Sequence, residues 1–302
     1  GPFAVRDRIV FDHPFSRQHR LWAKNFQCDR QLTTKYRAVR DQMFNLLQIE
    51  RFDEIPALIQ NPSLREQRTE RAYRLLGNLF GIHGELSAIK SKIHEYTNTA
   101  DAVIAQLRSK VLAAYGSHIE ISNEIETSKN PIDLLLIIFD DRYHKKIRFE
   151  AKRKLVLMGL AGSIDQRERE TEIESKFSAF LNFLNLYVWS PQLKIGELEM
   201  AYLHSRHDGE DFGCSQVQVI DAEAAHGLYE FAENEKLTLV KRRLFHDNGQ
   251  EIPVYVTVRK KDSAAKVLKL LRKNEKNPAA AVDDELGLMA VLDSGSHVKR
   301  TV

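Results

Sequence analysis

The chain has 302 residues, 43% hydrophobic and 29% charged, with a formal net charge of +3, enough apolar material for packed cores under an ordinary charged surface. Two cysteines, Cys28 and Cys214, exclude a disulfide framework, and neither belongs to a CxxC pair, so a reducing compartment is the simplest reading. The longest apolar runs, residues 134–139 and 155–160, are too short to cross a bilayer.

Gly1-Pro2 opens the chain with no basic n-region and apolar h-region, so it does not read as a secretory signal; it reads as the scar of a cleaved tag. A cytoplasmic protein is expected. The next dozen residues carry no period, and Pro14 biases His13 away from helix. His13 and His19 have no cysteine partners and read as surface or packing residues. Helical spacing takes over at residues 33–51, with Tyr36, Val39, Met43, Leu46 and Leu47 on one stripe. After Pro56 and Pro62, Ser63 is placed to cap a helix that buries Leu64, Tyr73, Leu75 and Leu76.

Leu86, Ile89, Ile93, Tyr96, Ala100, Val103 and Leu107 then repeat at steps of three and four, close to a heptad seam. Such a seam packs against another helix, within the chain or in a partner protein, and an intramolecular bundle fits its short length better. Asn130-Pro131 supplies an N-cap and a first-turn proline for the next helix. A basic patch follows, with Arg142, His144, Lys145, Lys146, Arg148, Lys152, Arg153 and Lys154. Phe149, Leu155, Val156 and Met158 continue helically behind it, so the patch reads as a solvated face without interleaved exposed aromatics. Gly159, Gly162 and Ser163 are expected to end that helix and cap another, which turns apolar through Phe177, Phe180, Leu181, Leu184 and Tyr187 and stops at Ser190-Pro191. No fixed repeat of solenoid length is present.

The pattern changes after Pro191. Residues 216–220 alternate weakly, and residues 237–245 and 252–258 are β-like runs joined through Asn248-Gly249, a hairpin signal. Val254, Val256 and Val258 share one face. Ser263 is expected to cap a helix through Val267, Leu268 and Leu271, and residues 286–292 read as a buried strand. The fold class is therefore a mainly α N-terminal region, a helical bundle over residues 1–190 with a possible break near 116–130. A small α+β domain over residues 191–302 follows, with a β-hairpin, a helix and a strand. Charge concentrates there: between Lys236 and Lys276 twelve Lys/Arg face four Asp/Glu, a local +8, so the rest of the chain sums to −5. Such a segment suits a phosphate-bearing partner or a solvated basic face.

One stretch carries a pattern with chemical content. A strand delivering Arg259, Lys260 and Lys261 into a helix start could hold a polyphosphate through cations and free helix N–H groups. Lys266, Lys269, Arg272 and Lys273 extend that positive surface. Asp284, before the next strand, could hold Mg²⁺ against the phosphates.

At these residues the chain resembles the synthetase domain of the RelA/SpoT-like nucleotide pyrophosphokinases. Arg259 and Lys261 match that family's Arg-x-Lys motif. Ser263 with Lys266 or Lys269 loosely matches its helix, the stretch around Arg272 and Lys273 its basic loop, and Asp284 with Gly287 its Asp-x-x-Gly strand. The resemblance implies that Arg259, Lys261, Ser263, Lys266, Lys269, Arg272 and Lys273 bind ATP. It implies that Asp284 is catalytic and holds Mg²⁺, and that pyrophosphate passes to the 3′-hydroxyl of an acceptor nucleotide or RNA end. Met289 stands where the family has arginine, the Arg-to-Ser spacing is shorter, and the family's Glu-x-Gln strand does not appear before Val302. A truncated or degenerate synthetase is covered by the same reading. The alternative is a non-catalytic helical scaffold whose basic C-terminal module binds RNA or protein, with the 86–107 helix as a protein-binding seam.

A second cluster, His204, His207, Asp208, Glu210, Asp211 and Cys214, holds metal-ligand residue types, but its spacing matches no closed zinc pattern and it reads as a polar loop. No Walker A loop, GxGxxG, GxSxG, HExxH or kinase signature occurs.

Overall fold

A computed structural model describes residues 21, 24–25, 28–110, 125, 127–140, 142–189, 200–207, 214–227, 235–275, 277–283 and 285–301. The helical elements are α1 (Arg30–Leu47), α2 (Ile55–Gln60), α3 (Pro62–Leu79), α4 (Leu86–Lys110), α5 (Pro131–Phe139), α6 (Lys145–Thr171) and α7 (Ile173–Phe183), the last continued by a π-helical turn over Leu184–Val188. The strands and helices that follow are β1 (Met200–His207), β2 (Cys214–Ile220), α8 (Ala222–Gly227), β3 (Glu235–Asp247), β4 (Gln250–Lys260), α9 (Ser263–Lys273), α10 (Ala279–Val282), β5 (Leu286–Leu292) and α11 (Gly295–Thr301). A helical first part followed by an α+β part with hairpin, helix and strand is the expected class. The chain forms two compact units, Gly1–Arg167 with Asp262–Ala281, and Glu168–Lys261 with Val282–Val302. No helix among the described residues is long and apolar enough to cross a membrane.

Unit 1 is built on the seam of α4. Ile93, Ala100 and Val103 are fully buried and Ile89 and Tyr96 nearly so, and α4 packs against α3 and α9 of the same unit. The seam is therefore enclosed within this unit, and its buried residues are not offered to a partner protein. A second core joins Leu47, Ile55, Leu58 and Ala72 with Ile132, Leu135 and Leu136 of α5. Tyr36 and Val39, on the same predicted stripe as Leu47, stay exposed, because only the C-terminal end of α1 reaches this core. Asn130 caps α5 as expected, its side chain accepting from the Ile132 N–H at 2.9 Å. The cap of α3 is Asn61 rather than Ser63: Asn61 Oδ1 accepts from the Leu64 N–H at 3.1 Å, and Pro62 takes the first turn.

The glycines of α6 do not end it. The helix passes through Gly159, Gly162 and Ser163 to Thr171, and breaks only at Glu172, which has φ 52°. Ser163 Oγ donates to the Gly159 carbonyl one turn back, as a mid-helix serine does. Gly162 is required by packing: a Cβ there would lie 2.7 Å from the Phe80 ring. The same helix corrects the solvated basic patch, because Lys154 is fully buried, its Nζ 2.8 Å from Asp101 Oδ1 and donating to the Ile125 carbonyl at 2.6 Å.

In unit 2 the five described strands are antiparallel in the order β2-β1-β3-β4-β5. The β3–β4 hairpin closes on Asp247↔Gln250, leaving Asn248 (φ 48°) and Gly249 (φ 82°) as a two-residue turn. Both need the left-handed region, which is why Asn-Gly is legible as a turn. Alternation splits the sheet's buried residues between its faces. Ala201, Leu203 and Val240 pack on one with Tyr255, and Ile252, Val254 and Val256 are buried on the other. Val258 shares the latter face but is 50% exposed, near the strand end. β5 is an edge strand with none of its residues buried, so the expectation of a buried strand at 286–292 is corrected; sheet order decides it.

Candidate nucleotide site at the end of the sheet

The sheet register brings two parts of the predicted motif together within unit 2. Arg259 lies opposite Gly287 and Lys260 opposite Leu286, and the Lys261 N–H donates to the Glu285 carbonyl at 2.9 Å. The basic end of β4 and the start of β5 thus share one end of the sheet, although α9 and α10 separate them in sequence. Arg259 and Lys260 are exposed there and Lys261 half-buried.

Acidic neighbours set the charge of this end. The Lys260 ammonium is paired with the Glu174 carboxylate of α7. That hydrogen bond pushes the Lys260 pKa up; partial burial opposes it, and the charges of Glu285 and Glu168 add to the rise. Glu285 itself is buried at 1% exposure. Sequence reasoning passed over both glutamates, because Glu174 is remote in the chain and Glu285 adjoins a better motif match. Met289, where the family has arginine, is 39% exposed and lies opposite Thr257.

The remaining predicted cations lie on α9, in unit 1. Asp262, not Ser263, is the N-cap of this helix: its Oδ1 accepts from the Ala265 N–H at 2.7 Å. Aspartate is as good a cap as serine, so Asp262-Ser263 left two candidates and the first is used. A carboxylate therefore already occupies one of the N–H groups expected to face phosphate, and its charge opposes a second anion there. Lys266 is buried at 2% exposure, as are the neighbouring Val267 and Leu270, which corrects its assignment to an open phosphate-binding surface. Leu271, expected in the core, is 41% exposed. Lys269 is half-buried, and Arg272 and Lys273 are exposed in the last turn, where cations complement the helix dipole.

Asp284, the expected catalytic and Mg²⁺-holding residue, lies outside the described residues. Among the described residues no group of three or more His, Cys, Asp or Glu side chains is placed to hold a metal ion. Of the carboxylates described at this end, Glu174 is engaged by Lys260 and Glu285 is buried.

In the second cluster, His204 Nε2 lies 3.4 Å from Glu235 Oε2, and Arg206 Nη2 lies 2.7 Å from Glu235 Oε1 across the β1–β3 pair. The Arg206 hydrogen bond is the main cause holding the Glu235 pKa below the usual carboxylate range. The side chains of His207 and Cys214, and residues 208–213, lie outside the described residues, as do His13 and His19.

Comparison of the chain with protein-family models, curated proteins and solved structures finds no match.

Proposed function

We propose that this chain is a RelA/SpoT-like nucleotide pyrophosphotransferase, or a truncated or degenerate relative of one, that takes ATP at the β4–β5 end of its sheet. The observation that supports the reading is the register placing Arg259 opposite Gly287, with Lys261 tied through its backbone to Glu285. Two short motif segments far apart in sequence are held at one place by backbone hydrogen bonds, which is the positioning that phosphoryl-type transfer asks of a protein. Arg259 carries the recognition. Its guanidinium is exposed at the strand end and can take phosphate oxygens in bidentate fashion, while the neighbouring Lys260 is engaged by Glu174. The acceptor would be the 3′-hydroxyl of a nucleotide or RNA end: its oxygen bonds to the β-phosphorus of ATP, the bond from that phosphorus to the α-phosphate oxygen breaks, AMP leaves and the hydroxyl proton is released.

Calorimetric titration of ATP with Mg²⁺ into the full chain and into Arg259→Ala tests the reading. Saturable binding that weakens about 10- to 100-fold in the variant is expected for the loss of a charge-assisted contact. Absence of ATP binding to the unsubstituted chain, or equal affinity in the variant, refutes it.

A further inference from the structure

The outward face of α6 in unit 1 carries two apolar side chains, Phe149 and Val156, that the sequence pattern places behind the basic patch. Lys145, Phe149, Lys152 and Val156 recur at three- and four-residue steps on one side of the helix. All four are exposed, Phe149 by 60% and Val156 by 56%. Several other cations of the segment are held by the fold, Arg148 among them through the Ile138 carbonyl at 2.8 Å. Arg142 pairs with Asp140 at 2.7 Å, Arg153 with Glu150, and Lys154 with Asp101. The single carboxylate between positions 145 and 156, Glu150, is buried. The exposed stripe is therefore basic, with no acid interleaved and an aromatic ring at its centre.

We propose that this face of α6 binds single-stranded nucleic acid, with Phe149 stacking on one base and Lys145 and Lys152 holding phosphates on either side. The two lysines are about 10 Å apart along the helix axis, and their flexible stems bracket the ring. Exposed aromatic rings among cations are the stacking platforms of single-strand recognition, and every base offers a face to them. In a duplex those faces are stacked inside, and the deep, narrow major groove of double-stranded RNA does not admit a side-chain platform. The site uses none of the residues of the nucleotide reading.

The test is fluorescence anisotropy with a short labelled single-stranded RNA and with its duplex, titrated with the full chain over a salt series. The chain should bind the single strand more than tenfold tighter than the duplex. Phe149→Ala should weaken single-strand binding about 5- to 150-fold with the salt slope unchanged. Lys145→Gln with Lys152→Gln should reduce the slope of log affinity against log salt by about 1.4. Phe149→Leu, which keeps the apolar bulk and loses the ring face, should behave like the alanine variant. All four side chains are exposed, so the variants should keep the far-UV spectrum of the parent chain. Duplex affinity equal to single-strand affinity, no binding at all, or full binding by Phe149→Leu would overturn the proposal.

Discussion

Two glycines three residues apart on one helix should respond to alanine with opposite signs. At Gly159 of α6 a Cβ meets nothing within 4 Å, so alanine contributes only its helix propensity and stabilises by about 1 kcal/mol. At Gly162 the new Cβ would stand 2.7 Å from Phe80 Cε1 and 2.8 Å from Cδ1 and Cζ, roughly 1 Å inside ordinary carbon contact. The ring has little room to retreat. Phe80 is 5% exposed and set edge-on to Tyr96 at 5.5 Å, and the Tyr96 hydroxyl donates to Asp165 Oδ2 at 2.6 Å. Overpacking of this kind costs about 1–3 kcal/mol. After the propensity gain of about 1 kcal/mol, Gly162→Ala should destabilise by up to about 2 kcal/mol. Urea unfolding followed by far-UV circular dichroism reads both variants, with the slope expected to stay constant and the midpoints to move apart. A cycle with Phe80→Leu should show a coupling energy between the two positions. A midpoint that rises for Gly162→Ala as it does for Gly159→Ala would refute the packing argument.

The buried pair between α4 and α6 should be asymmetric in the same assay. Asp101→Ala leaves Lys154, at 0% exposure, without its carboxylate and should cost about 3–5 kcal/mol. Lys154→Met leaves Asp101, whose side chain is 28% exposed and can hydrate, and should cost less; the reverse order would contradict the burial. Alkaline stability should depend on Tyr73. Burial, with the charge of Asp133 adding, pushes its pKa up from 10.0 to about 12. The folded state therefore keeps a proton that the unfolded chain releases. The stabilisation is complete below about pH 10 and is lost as pH rises toward 12, on the order of 2–3 kcal/mol. The Tyr73 hydroxyl lies 2.9 Å from His94 Nε2, and burial first, then Lys129 and Lys90, holds the imidazole pKa down so that the neutral ring can accept. Tyr73→Phe should lower stability at neutral pH by about 1 kcal/mol and flatten this alkaline part of a pH series of midpoints. An unchanged alkaline slope would refute the assignment.

Much of the architecture was open to reading because it depends on groups within a turn or two of one another. The Asn248-Gly249 hairpin, the Asn130-Pro131 start of α5 and the seam of α4 each rest on local backbone preference or a short period, and each stands as read. Of the proposed nucleotide site, Arg259 and Lys261 were placed at a strand end by pattern, but their meeting with β5 required the sheet register. The errors share a cause as well. Lysines 145, 152 and 154 look alike along a helix, and partners distant in sequence, the Asp101 carboxylate and the Ile125 carbonyl, distinguish the buried one from the two in water. Gly162 looked like a helix end because its reason, the ring of Phe80, lies on another part of the chain. Phe149 looked like core because hydrophobicity gives the period of a face but not what covers it. Local conformation is decided by neighbours in sequence; burial and pairing are decided by neighbours in space, which no single segment contains.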